Sequence, residues 1–186
     1  WEPYALEMLA SVLDGGASAR FSRELVRGER VAASAGAGYS AFTRLPGLFR
    51  LSGTPADGRT VEELEAALLK QIERVQMELV EPEELERIRT QLIAAKVYEK
   101  DSVFYQAMQL GQLETVGLGW RLVDEYVERL SAVTPEQIRT VASKYLVPEV
   151  RTVAWLDPQP MDENDNDARR TAALNTASAG GNAHVR

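Results

Sequence analysis

Apolar residues recur at helical spacing from Pro3 to Leu13, at Leu6, Leu9, Ala10 and Leu13. Asp14-Gly15-Gly16 supplies a stop, because glycine takes the left-handed cap geometry freely. A second short helix is expected over Ser18 to Val26. Val31 to Phe42 alternates weakly and reads as a strand. Leu48 to Thr54 alternates more clearly, with Phe49 and Leu51 on one face and Arg50 and Ser52 on the other. The turn signal Leu45-Pro46-Gly47 between them predicts an antiparallel hairpin.

Helical periodicity then takes over. Thr60 and Glu63 form a capping box ahead of Leu64, Leu68, Ile72, Val75 and Leu79. Pro82 suits the first turn of a helix carrying Leu85, Ile88, Leu92 and Ala95. Asp101-Ser102 restarts the pattern through Val103, Ala107 and Leu110, until Gly117 and Gly119 break it. Trp120 to Leu130 is again helical, and Thr134-Pro135-Glu136-Gln137 is a second capping box, opening a helix with Ile138, Val141, Ala142 and Tyr145. Pro148 ends that helix, and Val150 to Leu156 reads as a buried strand.

The order helix, helix, strand, strand, several helices, strand predicts an α+β domain over residues 1–158. Its sheet is expected to be antiparallel or mixed, with helices covering one side. Three strands are few, so a further strand is expected upstream of Trp1. The start at Trp1, directly on a helical pattern, also suggests a piece of something longer. Residues 159–186 change character: Asp162 to Asp167 is acidic and the small residues beyond lack apolar content, as in a disordered tail.

At 186 residues, 45% apolar and 26% charged, the chain suits a soluble globular domain. A net charge of −7 argues against binding nucleic acid or anionic membranes, and no apolar run is long enough to span a bilayer. There is no cysteine, and the single histidine, His184, lies two residues from the end. Zinc sites and nucleophilic triads need better-placed ligands and bases, so no metal ligand and no catalytic residue is expected in this chain.

Four further clusters have two readings each. Asp14 to Arg20 is a glycine turn opening onto a helix; it lacks the Lys-Ser/Thr ending of a phosphate loop and reads as a helix–turn–helix connection. Arg20, Arg23, Arg27 and Arg30 are basic residues in an acidic chain. On an α-helix, residues 20, 23 and 27 would share a face for a carboxylate, or form a solvated face balanced by Glu24 and Glu29. Glu81, Glu83, Glu84 and Glu86 could serve as paired carboxylates in acid–base catalysis, but no cleft partner is evident, and they surround a helix start, which the macrodipole favours. Asp162 to Asp167 lacks the sixth-position glycine and twelfth-position glutamate of a calcium loop.

Six phrases occur together in order. They are Leu9 to Arg20 (LASVLDGGASAR), Arg23-Glu24-Leu25-Val26-Arg27, Pro46-Gly47-Leu48-Phe49, Glu83-Glu84-Leu85-Glu86-Arg87, Val133 to Gln137, and Val141 to Leu146. With them the chain resembles, over Pro3 to Pro158, the C-terminal non-catalytic half of bacterial zinc peptidases of the pitrilysin (insulinase) family, relatives of the mitochondrial processing peptidase. The resemblance implies α+β domains that pair into a clamshell around extended polypeptide. It places the zinc and its His-x-x-Glu-His motif in the other half, and nothing here matches that motif. The family's arginine and, seven residues on, tyrosine for substrate binding align with Val26 and Ala33, whose side chains cannot donate a hydrogen bond; Arg27 and Arg30 lie near but out of register.

The expected role is therefore one wall of a peptide-enclosing chamber in a zinc-dependent metalloendopeptidase. Its partners would be a catalytic N-terminal half or separate catalytic subunit and an extended peptide, with zinc held by the catalytic part. Alone, the chain is expected to cleave nothing. The alternative is a structural or assembly domain of peptidase ancestry, which the substitutions at Val26 and Ala33 favour. An unrelated α+β interaction module is the remaining reading. The residues do not encode a compartment; the resemblance alone points to the bacterial periplasm or cell envelope.

Overall fold

A computed structural model describes residues 1–99 and 101–158. The expected tail over 159–186, with His184 and the acidic run at 162–167, lies outside the described residues. Trp1 to Thr152 forms one compact unit; a second begins at Val153, and its described residues have no regular secondary structure.

Helix α1 (Glu2–Asp14) is the centre of the first unit. Tyr4, Ala5, Leu6, Met8, Leu9, Ala10, Val12 and Leu13 are all buried, so its apolar surface runs almost all round rather than along one stripe. Gly15 ends it, and only glycine fits there: a Cβ would lie 2.3 Å from the Ser11 carbonyl oxygen. Gly16, at φ 112°, turns the chain into the next helix.

That helix, Phe21–Gly28, is wound as a π-helix, shorter at its start than the expected Ser18–Val26 segment. Its wider turn is marked by Glu29 N–H donating to the Glu24 carbonyl, five residues back. Arg30 follows in the left-handed region at φ 52°, without the glycine that helix ends usually place there.

Strands β1 (Ala32–Gly38) and β2 (Arg50–Pro55) form the expected antiparallel hairpin. Ala32 pairs with Pro55 and Ser34 with Thr54, leaving Ala33 as the extra residue of a bulge. The hairpin packs on α1 and on α2 (Val61–Met77). Leu64 of α2 comes so close to β2 that a Cβ on Gly53 would sit 3.0 Å from it. Asp14 ties the end of α1 to β1 by accepting the Ala37 N–H at 3.2 Å.

Four more helices complete the unit: α3 (Pro82–Glu99), α4 (Val103–Val116), α5 (Leu122–Ser131) and α6 (Pro135–Tyr145). Both expected capping boxes form, Thr60 with Glu63 and Thr134 with Gln137. Ser102 caps α4, and Gly117 ends it at φ 82°. Helix α6 packs on both α1 and α2, so the last helix closes the core that the first one begins. The result is an α+β fold, rich in helix, with a small antiparallel sheet.

One element differs from expectation. Val150 ends a 3-10 turn (Pro148–Val150) and residues 151–158 carry no strand. An apolar run becomes a buried strand only by pairing its backbone groups with a neighbouring strand, and among the described residues β1 and β2 pair only with each other.

Candidate functional site

The four arginines do not form one surface. Arg20 is 4% exposed and makes a two-pronged ion pair with Glu84 in the first turn of α3, Nε to Oε1 at 3.1 Å and Nη2 to Oε2 at 2.7 Å. The pair locks the start of the π-helix to the start of α3. Glu84 therefore does more than favour a helix start. Arg23 pairs instead with its neighbour Glu24 at 2.7 Å, and Arg27 donates to the Ala17 carbonyl in the glycine turn. The π winding is the physical reason that the α-helical face of residues 20, 23 and 27 does not form.

Glu24 is the centre of this region. Its carboxylate accepts from Gln71 at 2.9 Å and from Arg74 at 3.0 Å, besides Arg23. Burial pushes its pKa up, but the hydrogen bonds from Arg23 and Gln71, with the Arg74 charge, outweigh that and hold it below the ordinary carboxylate range.

Val26 is half-buried against the core, while Ala33 is exposed at the bulge of β1. Arg27 and Arg30 are exposed, one on the π-helix and one just past its end. Those four positions lie along one continuous stretch, from the π-helix into β1. The glycine turn acts as a connection, held by Ala19 N–H donating to the Gly16 carbonyl.

A concave site lies elsewhere, in a place the sequence reading missed. A pocket of about 210 Å³ opens between α1, the segment after β1, the end of α3, α4 and α5. Glu7, Phe42, Lys96, Tyr105, Met108 and Tyr126 are among its lining residues. Tyr126 donates its hydroxyl to Glu7 Oε1, and Glu7 Oε2 is buried with no hydrogen-bond partner. Burial raises the Glu7 pKa above the usual carboxylate range; the Tyr126 hydrogen bond and the Lys96 charge oppose that shift. Burial, then the neighbouring Glu7 charge, pushes the Tyr126 phenol upward as well. Lys96 Nζ lies 5.1 Å from the centre of the Tyr126 ring and pairs with Glu99 at 2.8 Å. The one available signal was Glu7 itself, a carboxylate in the midst of α1's apolar residues.

Zinc does not fit these residues. Among the described residues no group of three or more His, Cys, Asp or Glu side chains could hold a metal ion. Nor is any helix there long and apolar enough to cross a membrane.

Residues 1–92 match the family described as the peptidase M16 inactive domain. A comparison with curated proteins gives no match. Among solved structures, the chain is similar to a candidate zinc protease from Bordetella pertussis Tohama I. The identity is 22% and the TM-score 0.73, over 85% of this chain and 86% of that one. It is equally similar to the inactive peptidase domain of a candidate zinc protease from Bordetella parapertussis (22%, TM-score 0.71, 86% of each chain). A protease from Helicobacter pylori shares the fold at 21% identity and TM-score 0.67, over 78% of this chain; the chain spans only 35% of that protein. At these identities the structures establish a shared fold, and the family match adds the lineage. Residues 1–92, which hold α1, the π-helix, the hairpin and α2, belong to the peptidase M16 inactive domain.

Proposed function

We propose that this chain, with its domain at residues 1–158, is the non-catalytic half of a zinc-dependent metalloendopeptidase and forms one wall of a chamber enclosing an extended peptide. The observation that carries the reading is the match of residues 1–92 to an inactive peptidase domain, in a chain whose described residues offer no metal cluster. On this reading zinc and the hydrolytic chemistry belong to a catalytic half, fused or separate. This half supplies containment: a peptide held in one orientation loses its translational freedom before reaction, which lowers the barrier by several kcal/mol when alignment is good.

The stretch from Gly16 to Ala37, comprising the glycine turn, π-helix and β1, is the proposed peptide-facing wall. Val26 and Ala33, the positions that the resemblance assigns to substrate binding, lie within it, with Arg27 and Arg30 as the proposed neighbouring donors. Hydrogen exchange with and without an unfolded model polypeptide tests this directly. Slower exchange across Gly16–Ala37 on adding the polypeptide is expected; unchanged exchange there overturns the wall role. That second result would instead favour a structural or assembly domain, the reading supported by the lack of side-chain donors at Val26 and Ala33.

A further inference from the structure

Glu7 is the odd residue of α1. Its neighbours on the helix fill the core, yet it places a carboxylate beside a pocket in a poorly solvated setting. A buried carboxylate oxygen without a donor is unfavourable by more than a typical hydrogen bond contributes. Lys96 does not resolve this, because its ammonium is already held by Glu99 and lies over the Tyr126 ring. Glu99 is in turn occupied by Tyr105 and Gln109, the latter at 2.9 Å. Among the described residues, therefore, Lys96 makes its ion pair with Glu99, and its charge reaches Glu7 without a direct pair.

The walls suit a cation too. Phe42 and Tyr126 meet at 5.4 Å in a tilted pair, and Tyr39 and Tyr105 add further rings to the lining. Aromatic faces attract ammonium and guanidinium groups through the ring quadrupole, more strongly where water is excluded. Met108 gives the mouth an adaptable apolar surface for an alkyl stem. At about 210 Å³ the space is small for a free metabolite, which usually takes several hundred Å³, but it is far larger than a single water needs.

We infer that this pocket binds one basic side chain of a polypeptide, a lysine or arginine, with Glu7 as the counter-ion and Phe42 and Tyr126 as the aromatic walls. The inference deepens the chamber reading by naming a preference in the polypeptide it handles, and rests on that reading for the polypeptide being the substrate. The pocket chemistry itself can be measured without any chamber.

The probe is Nα-acetyl-lysine N-methylamide, titrated into the 186-residue chain and followed by NMR at Phe42 and Tyr126. The uncharged norleucine analogue is the control. Saturable shifts are expected with the lysine probe, at least tenfold weaker binding of norleucine, and collapse of that difference in Glu7→Gln. Met108→Lys, at a partly exposed position, puts a tethered ammonium at the mouth and is expected to abolish lysine binding while leaving the fold intact. Equal binding of the two probes, or a lysine preference that survives both substitutions, overturns the inference. Slower exchange at Gly16–Ala37 with a polypeptide lacking lysine and arginine reports on the chamber alone, so either idea can fail without the other.

Discussion

Phe21 and Phe104 are the same side chain in opposite circumstances. Phe21, opening the π-helix, is completely buried; Phe104, in the first turn of α4, is 79% exposed. Their surroundings follow suit. Around the π-helix apolar groups are packed away, and charges are either buried in a two-pronged pair, as at Arg20 and Glu84, or gathered on Glu24. Around the turn from α3 to α4, Val97, Tyr98, Val103 and Phe104 all face solvent, and the only buried residue of α4 is Leu113. The first region is thus complete within the unit, whereas the second leaves apolar area open and a pocket beside it. Several large apolar side chains left open in one segment often mark a place of contact.

The largest expected contrast is a pair of truncations. Phe21→Ala is expected to lose about 3–5 kcal/mol, the usual cost of emptying a packed aromatic site. Phe104→Ala is expected to stay within about 0.5 kcal/mol, as exposed substitutions do. Urea unfolding of both variants decides the matter, and a large loss at Phe104 would break the comparison. Next comes Arg20→Met, which strands the Glu84 charge and should cost about 3 kcal/mol or more. Arg59→Ala, at the exposed pair with Glu63, should leave the urea midpoint where it was.

The two regions also respond to pH with opposite signs. Glu7 has a raised folded pKa, so its folded form holds a proton that the unfolded chain releases. Stability from this group falls as pH rises from the ordinary carboxylate range through the raised value. Glu7→Gln should therefore gain on the parent protein as pH rises through that interval. Glu24, held below its ordinary value, stabilises the fold above the unfolded pKa and loses that contribution as pH falls through the folded one. Glu24→Gln should be the less stable protein at neutral pH and draw level in acid. Melting curves at several pH values check both signs. A stabilising change of modest size is expected at Arg30, whose left-handed backbone carries a Cβ, whereas Gly117 at the end of α4 carries none. Arg30→Gly should raise stability by up to about 1 kcal/mol, visible as a higher melting temperature.

What could be read from the chain divides along the range of each signal. The capping boxes at Thr60 and Thr134, the Ser102 restart and the Gly117 stop are each complete within a few residues, and all four formed. The strand expected at Val150–Leu156 depended on a sheet edge supplied by other parts of the chain, and no local pattern reports whether one is there. The same limit hid the buried pair, whose members are 64 residues apart, and the pocket, which joins residue 7 to residues 39–42 and 96–127. Glu7 would face solvent on a helix with one apolar stripe. Only the burial of α1 on nearly every side makes it unusual.

That burial has a consequence in time. Helix α1 rests on α6, and Glu2 meets Lys144 and Tyr145 across almost the whole unit. Ribosomes add roughly 5–20 residues per second, so α1 emerges on the order of ten seconds before the helix that covers it. Throughout that interval the part of α1 that α6 covers has no lasting partner. That part of the core is completed only when α6 arrives.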